Sequence, residues 1–263
     1  MLRPWRLMLL LLTLLLSPTA YCQSIEDEES ESLEATSKAA VEAKPADPSA
    51  VARLIVEKTN EFRVEQQRES VEVSPKLTET AQYFADYMAK NDKYGHTADG
   101  NRPSERATKF EYDYCLVSEN IAYQFSSAGF ATTELAEGFV KGWKNSPGHR
   151  KNMLDQDVIE TGVAAARSEE TGYWYAVQMF GRPASAAVKF KIANRTDSTV
   201  EYAIGDRKFP LPPRYTRTHT RCRSSSVTLD ALEGQGGAET FEPENGAHYY
   251  VTQDKGQLGI RQE

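Results

Sequence analysis

Four residues in this chain have side chains and positions that could do chemistry: His96, Glu119, Ser146 and His149. The whole sequence holds only four histidines. An imidazole can act as acid, base or metal ligand near neutral pH, so the placement of each one carries weight. His149 lies in the run Trp143-Lys144-Asn145-Ser146-Pro147-Gly148-His149-Arg150-Lys151-Asn152-Met153-Leu154. His96 follows Tyr94-Gly95, and Glu119 stands in Ser118-Glu119-Asn120-Ile121-Ala122. Ser146 is three residues from His149, but the proline turn between them keeps a nucleophile–base contact from following by spacing. Taken singly, each of these residues reads as structural or solvated.

The elements that must position them follow from periodicity. Leu135, Phe139 and Trp143 recur at four-residue steps from Glu134 to Asn145, which places one apolar face on a helix. Ser146-Pro147-Gly148 is expected to stop that helix, leaving His149 on a turn just past its end. An earlier helix starts near Ser49 as N-cap, with Val51, Leu54, Ile55 and Phe62 on one face to about Arg68. Another begins at Pro75, buries Leu77, Ala81, Phe84, Ala85 and Met88, and ends near Lys93, so that His96 also lies just past a helix end. Arg102 to Phe110 reads as a short helix and Asp113 to Val117 as a loop or a short edge strand. Thr161 to Arg167 and Tyr173 to Phe180 read as strands facing each other across Ser168 to Gly172. Helices around few strands predict a sheet covered by helices.

The net charge of −7 and the absence of a Lys/Arg-rich stripe with interleaved aromatics argue against nucleic acid as a partner. Residues 1–22 read as a signal peptide, with Arg3 and Arg6 ahead of the apolar run Leu7 to Leu16 and Ala20-Tyr21-Cys22 as the cleavage site. The rivals are lipidation of Cys22, which Tyr21 argues against, and an uncleaved anchor. Residues 23–48 read as an acidic disordered linker with no aromatic residue. Without Cys22, Cys115 and Cys222 remain. They could form a disulfide in an oxidising compartment or stay separate thiols. No CxxC motif suggests a zinc ribbon or a redox pair.

After Pro183 the composition changes. Val188 to Ala193, Val200 to Ile204, Tyr215 to Arg221, Val227 to Leu232 and His248 to Gln253 read as short strands. Asn194 to Asp197, Gly205-Asp206, Pro210 to Pro213 and Gly234 to Gly237 punctuate them. Residues 187–263 thus form a small β-rich module. Asn194-Arg195-Thr196 is a glycosylation sequon, relevant only in a host that glycosylates.

The motifs line up in order: Asn60-Glu61-Phe62-Arg63, Gly95-His96, Ser118 to Ala122, Trp143 to Leu154, Thr161-Gly162-Val163 and Tyr173 to Gly181. Together they resemble the CAP superfamily of cysteine-rich secretory, antigen 5 and pathogenesis-related 1 proteins, also called SCP-like domains. The bacterial branch fits better, since it carries a similar Trp-x-x-Ser-Pro-x-His-Arg run. The resemblance covers residues 49–183. It implies an α+β fold, an α-β-α sandwich with a central antiparallel sheet. It also implies a cleft in which His96, Glu119 and His149 meet. Ser146 stands where the family has a second glutamate, with Glu137 and Asp99 as possible substitutes. Two neutral imidazoles and a carboxylate suit a weakly held Zn²⁺ or another divalent ion, with Glu119 as ligand or as acceptor behind a ligand.

Three functions follow as expectations. The first is a secreted, non-enzymatic binding module that takes a divalent metal and a small lipid-like ligand. The second is a metal-dependent, peptidase-like hydrolase with Glu119 as base. The third is a cell-surface interaction protein that uses its β module to hold a protein or surface partner.

Overall fold

Helix α1 (Pro48–Glu65) begins with proline in its first turn and is capped by Asp47, whose carboxylate accepts from Ser49 N and Ala50 N. Asp47, not Ser49, is therefore the N-cap, two residues ahead of the sequence expectation. Ala46 is already buried at 7% exposure, so ordered structure begins before Ser49. The computed structural model describes residues 45–229 and 238–263. The expected signal peptide, the linker up to residue 44 and the end of the expected strand Val227 to Leu232 lie outside the described residues.

The remaining elements of the first domain are β1 (Glu72–Val73), α2 (Pro75–Asn91), α3 (Pro103–Lys109), β2 (Tyr114–Gln124), α4 (Thr132–Asn145), α5 (Pro147–Met153), β3 (Glu160–Arg167) and β4 (Trp174–Pro183). The sheet runs β1-β3-β4-β2, antiparallel except that the two-residue β1 joins β3 in parallel. Successive residues of β3 point to opposite layers. Val163 and Ala165 join Val51, Ile55, Phe62, Leu135, Phe139 and Trp143 under α1 and α4. Ala164 and Ala166 join Leu77, Ala81, Phe84 and Met88 under α2. The result is the expected α-β-α sandwich. Gly162 has a packing reason: a Cβ there would overlap the backbone of Leu77 and Thr78, so only glycine lets α2 press on β3.

Of the two readings of Asp113 to Val117 the edge strand holds: β2 starts at Tyr114 at the edge of the sheet and runs on far enough to carry Glu119 in its middle. One sequence expectation fails locally. His149 is not on a turn past a helix end. Pro147 opens a second short helix, with Ser146 as the last cap of α4 and the first of α5. Proline removes an N–H that a helix start leaves unpaired in any case, so Ser-Pro-Gly restarts a helix in a new direction.

The β module contains β5 (Val188–Asn194), β6 (Val200–Ile204), β7 (Arg207–Leu211), β8 (Thr216–Arg221), β9 (Val227–Leu229), β10 (Glu239–Phe241), β11 (His248–Asp254) and β12 (Gln257–Gln262). They form two four-stranded sheets, β10-β9-β6-β7 and β12-β11-β5-β8. Phe190, Ile192, Tyr202, Val227 and Val251 fill one core. Strand β7 is missing from the sequence reading because Pro210 lies inside it. Proline is tolerated there because β7 is an edge strand. The sequon is closed: Asn194 is 2% exposed and its amide donates to Ser198 O and Leu211 O.

Cys115 and Cys222 are disulfide-bonded with Cα atoms 5.3 Å apart, which ties the start of β2 to the β module. Arg223 beside it reaches Asp155 at 2.8 Å and Asp157 at 3.2 Å, and Ser224 N donates to Asp157. The described residues belong to one compact unit.

Tyr202 Oη lies 2.6 Å from His219 Nε2 between the two sheets. Burial pushes His219 down to about 4, with Arg217, Arg221 and Arg207 adding repulsion. The folded pKa lies below the unfolded one, so the unfolded chain binds the extra proton first. Stability is full above about 6.5 and is lost as pH falls from there toward about 4. Melting curves should show this acid loss in the wild type and a shallower one in His219→Gln. Equal slopes would remove His219 as its source.

Candidate functional site

Strand β2 is an edge of the first sheet, and the site is built around it. Its outer carbonyls are closed by side chains. Ile121 O accepts from Trp143 Nε1 at 3.1 Å and from Tyr94 Oη at 3.2 Å, and Glu119 O accepts from Asn152 Nδ2. Polar edge groups that would otherwise go unpaired thus anchor both flanking segments. The alternation of β2 sends Glu119 toward the α2–α3 layer and Asn120 toward α5. Asn120 donates to His149 O at 3.1 Å and accepts from Asn152, fixing α5 against the strand. His96 and His149 therefore arrive from opposite layers and meet at this edge, with ring centroids 6.5 Å apart and planes inclined by 50°.

Glu119 is 1% exposed at its side chain. One oxygen lies 2.7 Å from His96 Nδ1 and the other accepts from Arg106 at 2.7 Å. A carboxylate on Nδ1 fixes the ring and leaves Nε2 directed away from it. Both Glu119 oxygens are engaged, so its role is to hold His96. Arg106 is the residue that sequence reasoning missed. It is fully buried, with its guanidinium carbon 3.5 Å from the centroid of the Phe84 ring. It donates to Asp99 Oδ1, Asn101 O, His96 O and Glu119 Oε2. Nothing local in Ser104-Glu105-Arg106 marks this arginine as a clamp. Asp99 and Glu119 against one guanidinium leave a formal charge of −1 buried behind His96.

The other candidates fall elsewhere. Asp99 is spent on Arg106 behind the cleft, with its side chain fully buried. Glu137 pairs with Lys58 at 3.0 Å. Among the described residues no hydrogen bond joins the Ser146 hydroxyl to His149, and Ser146 serves as a backbone cap: its N–H donates to Trp143 O and its carbonyl accepts from Arg150 N. Burial, then repulsion from His96, holds the His149 imidazole below its usual value, which favours the neutral ring that can donate a lone pair.

Two imidazoles sharing one tetrahedral ion have ring centroids roughly 5 Å apart, given metal–nitrogen distances of about 2.0–2.1 Å. The observed pair stands a little wider. Among the described residues no three His, Cys, Asp or Glu side chains stand together as a metal cluster. The two imidazoles are thus the donors that this edge could offer to an ion.

Fold, motif order and the His-bearing edge together define a domain of the CAP type. Residues 56–180 match the CAP model, the cysteine-rich secretory protein family, and this segment is a CAP domain. It is 27% identical over 139 residues to YkwD of Bacillus subtilis (strain 168), across 52% of this chain and 50% of that protein. An outer surface protein of Borrelia burgdorferi is 20% identical with a TM-score of 0.46, across 54% of this chain and 98% of that one. An extracellular SCP-domain protein of Bacillus anthracis is 22% identical with a TM-score of 0.44, across 51% of this chain and 41% of that one. The match thus spans about half the length of the curated relative. No helix among the described residues is long and apolar enough to cross a membrane.

Proposed function

We propose that this chain is an exported binding protein whose cleft holds a divalent cation weakly between His96 and His149. The observation that carries the reading is the His96–Glu119 contact of 2.7 Å, which fixes one imidazole facing the other. The buried negative charge behind His96 favours a cation at the ring's open face. A bound ion would supply a Lewis-acid centre with open positions for an oxygen ligand. The disulfide supports export, because such bonds persist in oxidising compartments. The binding role is favoured over hydrolysis because the Glu119 carboxylate is 1% exposed and already bound to His96 and Arg106, which keeps it from reaching a water at the open ring face.

A second observation supports a lipid-like ligand. A groove of about 450 Å³ between α1 and α2 is lined by Ala52, Val56, Val73 and Val163, with Arg53 among its polar residues. Solvent extraction of the purified protein, read by mass spectrometry, should return an amphiphile. A clean extract from material made in lipid-rich medium would count against it.

Calorimetric titration of Zn²⁺ tests the cation site. Wild type should bind with an affinity in the micromolar range or weaker, and His96→Ala and His149→Ala should each lose at least about tenfold, or 1.4 kcal/mol. Retention of wild-type binding by both variants would end the metal reading.

A further inference from the structure

Register gives the β module a surface that no linear stretch of sequence displays. On the sheet β12-β11-β5-β8, Thr216 opposes Ala193, Ala193 opposes Tyr250, and Tyr250 opposes Arg261. The next row sets Thr218 beside Lys191 and Lys191 beside His248, and Thr220 pairs with Lys189 beyond it. Residues two apart on a strand share a face. Their neighbours Phe190, Ile192, Tyr249, Val251 and Ile260 are in the core, so these rows point outward. Lys189, Lys191, Thr216, Thr218, Thr220 and Arg261 are all exposed. Among the described residues Lys189, Lys191 and Arg261 have no carboxylate partner. Beside them a hollow of about 440 Å³ is lined by Lys191, Arg195, Arg214, His248 and Tyr250, with Glu263 as its acidic member.

We propose that this face binds a linear phosphodiester polymer of polyol or sugar units, of the kind that coats a cell surface. A chain with net charge −7 gathers free ammonium and guanidinium groups on one sheet face. Lys189 and Lys191 repeat at about 6.8 Å along β5, which suits successive phosphates on an extended short-carbon chain. The threonine row of β8 adds hydroxyls that hydrogen-bond to polyols. Nucleic acid fits less well, because single strands are held by bases stacked on open aromatic rings. The Tyr250 ring is already covered by Arg195, whose guanidinium carbon is 3.8 Å from the ring centroid. A lipid surface fits less well too, since the outward positions named here include no large aliphatic side chain to insert.

The proposal is independent of the His96–His149 cleft, and the test separates them. The full chain is titrated with poly(glycerol phosphate), with single-stranded DNA and with phosphatidylglycerol vesicles, at about 50 mM and 200 mM salt. The polymer should bind best, and more weakly at the higher salt. The triple variant Lys189→Glu/Lys191→Glu/Arg261→Glu should lose at least about tenfold in affinity, while His149→Ala binds as wild type does. Should the triple variant fold poorly, Lys191→Gln alone should flatten the salt slope by about 0.7. Polymer binding that survives the triple change in a folded protein would overturn the assignment. So would an unchanged salt slope, or preference for DNA or vesicles over the polymer.

Discussion

Replacing Arg106 with methionine should destabilise the protein by about 3–5 kcal/mol, the range for breaking a buried ion pair from one side. Methionine keeps much of the length and the contact with Phe84 but removes the charge. Asp99 and Glu119, both at most 1% exposed, would then be buried without a cation. The carbonyls of His96 and Asn101 would lose their donor as well. Those two carbonyls hold the segment that carries His96, so the cleft should loosen together with the fold. Urea denaturation measures the loss directly. A change below about 1 kcal/mol would mean that the cluster is solvated or that its charges are neutralised in another way.

Replacing Trp143 with alanine should cost a similar amount, about 3–5 kcal/mol for a large buried aromatic. The indole is 1% exposed and stacks on Phe139 at 6.1 Å between ring centroids. It also donates to Ile121 O on β2. That carbonyl keeps the Tyr94 hydroxyl as donor, so the loss is mainly the cavity rather than an orphaned acceptor. His149→Ala should cost far less, because the imidazole is only partly buried. If the melting series put His149→Ala below Trp143→Ala, the placement of α4 against the sheet would be wrong.

The two predictions mark what the sequence could and could not disclose. The stripe Leu135, Phe139, Trp143 names its own buried face, because a helix of period 3.6 must hide its apolar residues. The hairpin of β3 and β4 is legible for a similar reason. His96, Glu119 and His149 are legible only as members of an ordered motif set, since no spacing rule brings together residues 23 and 30 positions apart. Arg106 is not legible at all. Its burial depends on Asp99 and Glu119 reaching it from a loop and a strand, a tertiary arrangement with no local signature. The same holds for Lys191, His248 and Arg261, which are scattered in sequence and become one face only through strand register. Pro210 misleads in the opposite sense: it breaks the sequence pattern of a strand, while the edge position of β7 absorbs it. Ser146-Pro147-Gly148 misleads likewise, because residues that end one helix also start the next.

A cation shared by His96 and His149 is open to direct observation. The most direct measurement is an anomalous difference map at the zinc edge from a crystal soaked in Zn²⁺. The expected result is one peak within about 2.0–2.1 Å of an imidazole nitrogen on each of the two rings, with Glu119 still on His96 Nδ1. A peak elsewhere, or one on a single imidazole with the other ring turned away, would contradict it.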